Sequence, residues 1–404
     1  MLTAVLFAAG LVVAVPALYT LTVSVAALFF AAPPTMQRPT TRLMVLVPAH
    51  DEAALIARCV RSLRDQTYPA ALYRVVVIAD NCSDDTAALA AEAGADLVLE
   101  RLAPDARGKG HALRWAMDRM MVSDPAVEAF AVVDADSVAD PAFLSRLVQP
   151  LQAGARAVQG ESLLEAGGDG AGALRMSAFL LINRVRPAGR AVLGLPMTHL
   201  AGNGMLLTRE LLREKPWAAY TSAEDLEYSL DLQADGIPII YASGAVLLSP
   251  PAPNGQAAAQ QQLRWEGGKF HLARTRLPGL LARGVRERRP ALLGVAFDLA
   301  VPPIGWLAAA ALSGSLAAGG LAAVTSVPLW TLTPWLVGLC SIPLAVLIGL
   351  RAAGAPRSAY RALLRAPLLV LTKPLGAATL LRFRGDTWVR TERAVPPSHA
   401  EGEA

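Results

Sequence analysis

The sequence predicts an α/β domain held against a bilayer, and three observations predict it. Short β-rich apolar runs alternate with helical patterns, acidic residues fall directly after those runs, and long uncharged segments flank the region that contains both. Residues 43–47 (LMVLV) form the first run and are followed by Pro48-Ala49-His50-Asp51-Glu52. A helical pattern then carries Leu55, Ile56, Val60 and Leu63. Residues 75–78 (VVVI) form the second run, ending at Asp80-Asn81-Cys82-Ser83-Asp84-Asp85 before an Ala-rich helix over 86–93. Residues 130–133 (FAVV) form the third and end at Asp134. Apolar strands alternating with helices imply a buried parallel sheet of Rossmann type with helices on both faces. Polar residues at the strand ends then sit where open α/β sheets bind ligands.

Composition sets the surroundings. The chain of 404 residues is 54% hydrophobic and 17% charged, with mean hydropathy +0.40, against a usual charged share of about 25% in soluble proteins. A membrane protein follows. The net charge of +4 does not imply nucleic acid, because basic residues such as Arg283, Arg286, Arg288 and Arg289 gather beside the apolar segments, where juxtamembrane anchoring to lipid explains them. Cys59, Cys82 and Cys340 have no metal-ligand spacing, so neither a disulfide framework nor a zinc site is expected, and a reducing cytoplasmic setting fits. Cys82 reads as a small packing residue.

Residues 2–32 carry no charge, enough to cross a bilayer core that needs roughly 20 apolar residues. A cleaved signal peptide is the weaker reading, since no basic residue precedes the run. Arg38 and Arg42 follow, which places the next domain in the cytoplasm. Two further spans are expected at 292–312 and 327–350, then the basic residues Arg351, Arg357, Arg361 and Arg365. Segment 362–381, interrupted by Arg365, Lys373 and Pro374, reads as interfacial, with another span as the alternative. Asp298, an acidic residue within the first of these later spans, either lines an acceptor path or orients the helix at the interface. The resulting division is an N-terminal transmembrane helix (1–35), a cytoplasmic domain (40–285), C-terminal transmembrane and interfacial helices (290–385) and a cytoplasmic tail (386–404).

Within the polar domain the acidic clusters divide a reaction among themselves. Asp134 and Asp136, one residue apart at a strand end, suit one Mg²⁺ or Mn²⁺, which prefers oxygen ligands and neutralises a diphosphate leaving group. Asp225, in the Glu224-Asp225 pair ahead of the helical stretch 226–232, suits the base for an acceptor hydroxyl, while Glu224 and Glu227 also read as first-turn acids. Lys109 in Arg107-Gly108-Lys109-Gly110 is expected in a mobile turn within reach of phosphate. Arg264 suits a diphosphate and Trp265 a sugar platform or an interfacial anchor. Gly202-Asn203-Gly204 either lets backbone approach an acceptor or makes a turn. Asp84, Asp85 and Asp140 read as helix-start caps. No P-loop and no Ser/His/Asp pattern occurs, so NTPase and hydrolase readings are disfavoured.

These residues resemble the membrane-bound family 2 glycosyltransferases, which include the cellulose, chitin, hyaluronan and poly-N-acetylglucosamine synthases. The likeness rests on Val47-Pro48-Ala49-His50-Asp51-Glu52, Asp80, Asp134-x-Asp136, Glu224-Asp225 and Gln261-x-x-Arg264-Trp265, with His50-Asp51 and Ala223 as departures. It implies a GT-A-like nucleotide-sugar domain. It further implies that Glu52 and Asp80 bind the nucleoside, Lys109 helps hold the nucleotide, and Asp134 and Asp136 hold the metal near the diphosphate. Asp225 would be the base of an inverting displacement, and Gln261, Arg264 and Trp265 would line the acceptor and diphosphate end. The expected activity is transfer from a nucleotide-activated sugar, UDP-linked in the first instance, to extend a β-linked polysaccharide at a bacterial inner membrane. One rival is addition of a single sugar to a lipid-linked acceptor; the other is a non-catalytic membrane scaffold.

Overall fold

A computed structural model describes residues 1–33, 39–165 and 170–373. Among the described residues, eight strands form one sheet: β1 (Leu43–Ala49), β2 (Tyr73–Asp80), β3 (Leu97–Arg101), β4 (Ala129–Val132), β5 (Val138–Ala139), β6 (Ala157–Leu164), β7 (Met205–Thr208) and β8 (Ile239–Ser249), in the order β3-β2-β1-β4-β7-β6-β8-β5. Alternation along the strands divides the core in two. Leu43, Val45, Val47, Val75, Val77, Ala129 and Ala131 enter one face cluster, and Met44, Leu46, Val76, Ile78, Phe130 and Val132 the other. Both faces are buried by helices, as the uninterrupted apolar runs imply.

The expected parallel sheet is only half present. Strands β3, β2, β1 and β4 are parallel, but β7 pairs antiparallel with both β4 and β6. The antiparallel strand has a consequence for function. Because β7 runs against β4, the Gly202-Asn203-Gly204 turn that precedes it lies at the carboxyl end of β4, with the Gly204 N–H donating to Val132 O at 2.9 Å.

Among the described residues, three helices are long and apolar enough to cross a membrane: Leu2–Ala27, Ile304–Val324 and Leu329–Ala352. The expected span at 292–312 is corrected. Helix Pro290–Ala300 ends before Pro302-Pro303 and a new helix starts at Ile304, because the two prolines remove successive N–H donors and fix an extended turn. Val13, Ala17, Leu307, Ala311, Trp335 and Ile342 pack these long helices together. The Trp335 indole N–H donates to Leu6 O at 3.1 Å. A helix of 32 residues, Gly255–Arg286, links the sheet domain to this bundle. In the segment expected to be interfacial, the short helix Ala366–Thr372 exposes Leu368, Leu369 and Leu371; residues 374–404, including the expected tail, and Arg38 lie outside the described residues.

Candidate active site

Parallel pairing puts the ends of β1, β2 and β4 on one edge, and that edge opens into a cavity of ≈ 760 Å³. The residues expected to bind substrate, hold the metal or act as base all line it: Glu52, Asp80, Lys109, Asp134, Asp136, Glu224, Asp225, Gln261, Arg264 and Trp265. The first two strand ends are tied to each other. His50 Nδ1 lies 2.7 Å from Asp80 O, the Glu52 N–H donates to Thr86 Oγ1 at 2.8 Å, and the Ser83 N–H donates to Asp51 Oδ1 at 2.6 Å. Asp51 and Asn81 hold left-handed backbone (φ 50° and 53°), a conformation uncommon outside glycine and often found at functional sites. The His50-Asp51 departure thus has a local use, since both side chains bind the β2 loop. Asp84 caps as expected, accepting from the Thr86 N–H at 3.1 Å, whereas Asp85 makes no side-chain cap bond. Asp140 likewise accepts from the Ala142 N–H at 2.9 Å.

Asp80 is buried and paired with Arg101, a partner that no motif marks. At the next strand end the Asp134 N–H donates to Asn203 Oδ1 at 3.0 Å, and the Asn203 amide donates to Ser137 Oγ at 2.9 Å and Ser162 Oγ at 3.1 Å. Asn203 therefore fixes the metal-motif turn. Gly202 is constrained twice: its φ is +71°, and a Cβ there would stand 3.0 Å from Asp225 Oδ2 and 3.3 Å from Lys109 Nζ.

The expected mobile turn around Lys109 is also corrected. Lys109 opens helix Lys109–Ser123, and its ammonium is held by Asp134 Oδ1 and by Gly202 O at 2.7 Å. Burial disfavours its charge, but Asp134, Glu224 and Asp225 together outweigh burial and raise its pKa above the ordinary value. Burial, reinforced by the Glu224 carboxylate, pushes the Asp225 carboxyl up to about 7. A carboxyl poised there is matched to proton abstraction near neutrality. The acid Glu227 turns out to be structural: its carboxylate accepts from the Tyr220 and Thr221 N–H groups at 3.3 and 3.2 Å.

The donor chemistry fits a hard divalent cation. Asp134 and Asp136 offer oxygen ligands at one turn, and a lysine ammonium is paired with the first of them. Asp51, Cys82 and Asp84 form a second group with ligand atoms within 4.8 Å of one another. Its carboxylates are engaged by Ser83, Thr86 and the Ala53 N–H, which is the bonding of a loop clamp.

The other end of the cavity was anticipated only in part, through Gln261, Arg264, Trp265 and one of the two readings of Asp298. Gln261, Arg264 and Trp265 project from helix Gly255–Arg286, and the Trp265 ring meets Phe179 edge-on at 5.5 Å. Beyond them the lining continues through Arg175, Arg186, Lys269, Asp298 and Tyr19, the last from the first apolar helix. Asp298, expected either on an acceptor path or at the interface, is buried, accepts from Tyr19 Oη at 2.6 Å and Arg186 Nη2 at 2.6 Å, and also lines the cavity. No local motif marks Arg186 or Lys269; only the cavity reveals them.

A family model described as "Glycosyltransferase like family 2" matches residues 39–268, more than half the chain. A low-salt glycan biosynthesis hexosyltransferase of Haloferax volcanii is 32% identical over 112 residues, 28% of this chain and 25% of that protein, so the match spans about a quarter of the relative's length. Among solved structures, a mannosyltransferase from Pyrobaculum calidifontis in complex with GDP-Man and Mn²⁺ aligns with TM-score 0.50 and 18% identity over 91% of this chain and 99% of that one, a likeness of fold. A glucosyl-3-phosphoglycerate synthase from Mycobacterium tuberculosis aligns with TM-score 0.39 and 21% identity, covering 58% of this chain and 86% of that one. With the strand-end carboxylates on one edge of a GT-A-like sheet and the family match extending over the whole of that sheet, the chain belongs to glycosyltransferase family 2.

Proposed function

We propose that the chain transfers a hexose, with inversion, from a nucleoside-diphosphate sugar to an acceptor hydroxyl at the cytoplasmic face of a bacterial inner membrane, extending a β-linked saccharide. The observation that carries this reading is the convergence of Asp134, Lys109 and Asp225 around Gly202 in a cavity that also reaches the apolar helices. Glu52 and Asp80 hold the nucleoside, with Arg101 orienting Asp80. Asp134 and Asp136 would hold Mg²⁺ or Mn²⁺, which when bound neutralises the diphosphate; the mannosyltransferase of similar fold carries Mn²⁺. Lys109 and Arg264 add positive charge for the phosphates, and Trp265 offers its face to a sugar ring.

In the transfer, the acceptor oxygen bonds to the anomeric carbon as the bond from that carbon to the diphosphate oxygen breaks. Asp225 takes the hydroxyl proton and the nucleoside diphosphate leaves with the electron pair. The second reading, addition of a single sugar to a lipid-linked acceptor, is favoured by one observation, the lining of the cavity by Tyr19, Val23 and Ala345 of two apolar helices. Radiolabelled sugar incorporation by membranes containing the protein tests both. Long products are expected for chain extension, a single-sugar product would replace that reading with the second, and no transfer from any nucleotide sugar with Mn²⁺ would leave the scaffold.

A further inference from the structure

We infer that the membrane end of the cavity recognises the phosphate of a lipid-linked acceptor, with Arg186 and Lys269 as its ligands and the apolar helices as the seat of the lipid chain. This rests on the transferase reading of the other end and deepens it: the phosphate serves as a handle, and the reacting hydroxyl is carried on the saccharide beyond it.

The charge at this end is unbalanced. Arg186, Arg190, Lys269 and Lys373 gather around the carboxylates Asp298 and Glu266. Glu266 is already engaged by Lys373 at 2.8 Å and the Trp306 indole N–H at 2.8 Å. Asp298 is engaged by Tyr19, Arg186 and Arg190. The Lys269 ammonium donates to Val301 O at 2.7 Å, and among the described residues no carboxylate lies within 4 Å of it. His199 adds no cation, since burial, helped by Arg186 and Lys269, lowers its pKa to about 4. Burial, then Arg186, lower the Lys269 pKa to about 8 against the opposing pull of Asp298 and Glu266, so an arriving anion would favour its charged form.

A purely structural role explains Arg190, which is almost fully buried and bonded to Pro196 O and Asp298. It does not explain why Arg186 and Lys269 line open space. Val23, Leu181, Val185, Leu299, Ile304 and Ala345 wall the same space, and Val23 and Ala345 belong to helices long enough to cross a bilayer. Cations beside an apolar wall at a bilayer suit an anionic headgroup with a hydrocarbon tail better than a neutral sugar.

The full chain in nanodiscs is titrated with farnesyl phosphate, farnesol and inorganic phosphate, with nucleoside diphosphate binding measured in parallel. Farnesyl phosphate is expected to bind at least about tenfold tighter than either comparator, and Lys269→Met to remove that advantage while nucleoside diphosphate binding stays unchanged. Arg186→Lys, which keeps a partner for Asp298, is expected to weaken it less. Equal binding of farnesol, undiminished binding by both variants, or displacement of farnesyl phosphate by nucleoside diphosphate would overturn the inference. Tight binding of inorganic phosphate alone would assign the site to a free anion and overturn the lipid. Failure of the nucleotide arm, with the lipid phosphate still bound, would instead overturn the transferase reading.

Discussion

The two ends of the cavity are built in opposite ways. The sheet end is acidic, with Asp134, Asp136, Glu224 and Asp225 set on loops and helix starts beside parallel strands, and a single buried lysine among them. The membrane end is basic, with Arg186 projecting from one helix onto Asp298 and Lys269 from another onto Val301 O. An acidic end accumulates divalent cation and removes protons, whereas a basic end holds anions. The difference teaches that the chemistry and the anchoring of substrate are separable, so variants at one end should leave the other's readout intact.

The strongest way to break that separation is Asp225→Asn. Transfer is expected to fall by about 10²–10⁴-fold while nucleotide binding persists, because the substitution removes the proposed base and leaves the proposed nucleoside site. Isothermal titration with nucleoside diphosphate beside radiolabel incorporation checks both halves; loss of nucleotide binding would show that Asp225 holds the site together. Next in size, Asp136→Asn is expected to cost on the order of a hundredfold in transfer and to raise the Mn²⁺ concentration needed for half-maximal rate. Chelation should abolish transfer reversibly. A variant with unchanged Mn²⁺ dependence would remove Asp136 from the metal site.

Gly202→Ala probes the junction of base and lysine. The added Cβ meets Asp225 Oδ2 at 3.0 Å on a backbone with φ +71°, so about a tenfold loss of transfer is expected with binding of nucleotide little altered. Full activity would mean that this turn does not set the position of Asp225.

The acidic end was legible because its chemistry is local. A strand, its terminal carboxylate and the next helix are neighbours in sequence, so Asp80, Asp134 and Asp136 fell where the alternating pattern put them. Lys109 was found as a cation but misplaced, since its anchoring depends on Gly202, 93 residues away. The antiparallel β7 was missed because Met205–Thr208 is too short to carry a period. Of the basic end only Asp298 was singled out, and its partners were illegible for the same physical reason on a larger scale: Tyr19 and Asp298 meet across 279 residues, and no spacing encodes that contact.

Titration also separates the ends. In the proposed mechanism the ionised form of Asp225 is the base, so kcat/KM is expected to fall as pH drops below about 7. Stability should run the other way. The folded-state pKa lies above the ordinary 3.8, so the contribution of this group is complete below about pH 4 and is lost as pH rises through about 7. Asp225→Asn should therefore melt higher than the wild type at pH 8 and show no such advantage at pH 4, as thermal melts at the two pH values would show. The reverse order would mean that the carboxylate is stabilised when charged.

The smallest expected effect comes from Tyr19→Phe at the basic end. The hydroxyl donates to Asp298 at 2.6 Å and accepts from Arg190, yet Asp298 keeps Arg186 at 2.6 Å and Arg190 at 3.2 Å after its loss. Removing one donor from a carboxylate that retains charged partners should cost about 1 kcal/mol of stability. Arg186 would be held less firmly, so the KM for a lipid-linked acceptor should rise about two- to threefold while kcat and the Mn²⁺ requirement stay put. A steady-state split of kcat from KM decides it. If kcat fell instead, the phenol would be acting on the chemistry at the sheet end, and the two ends of the cavity would have to be treated as one coupled site.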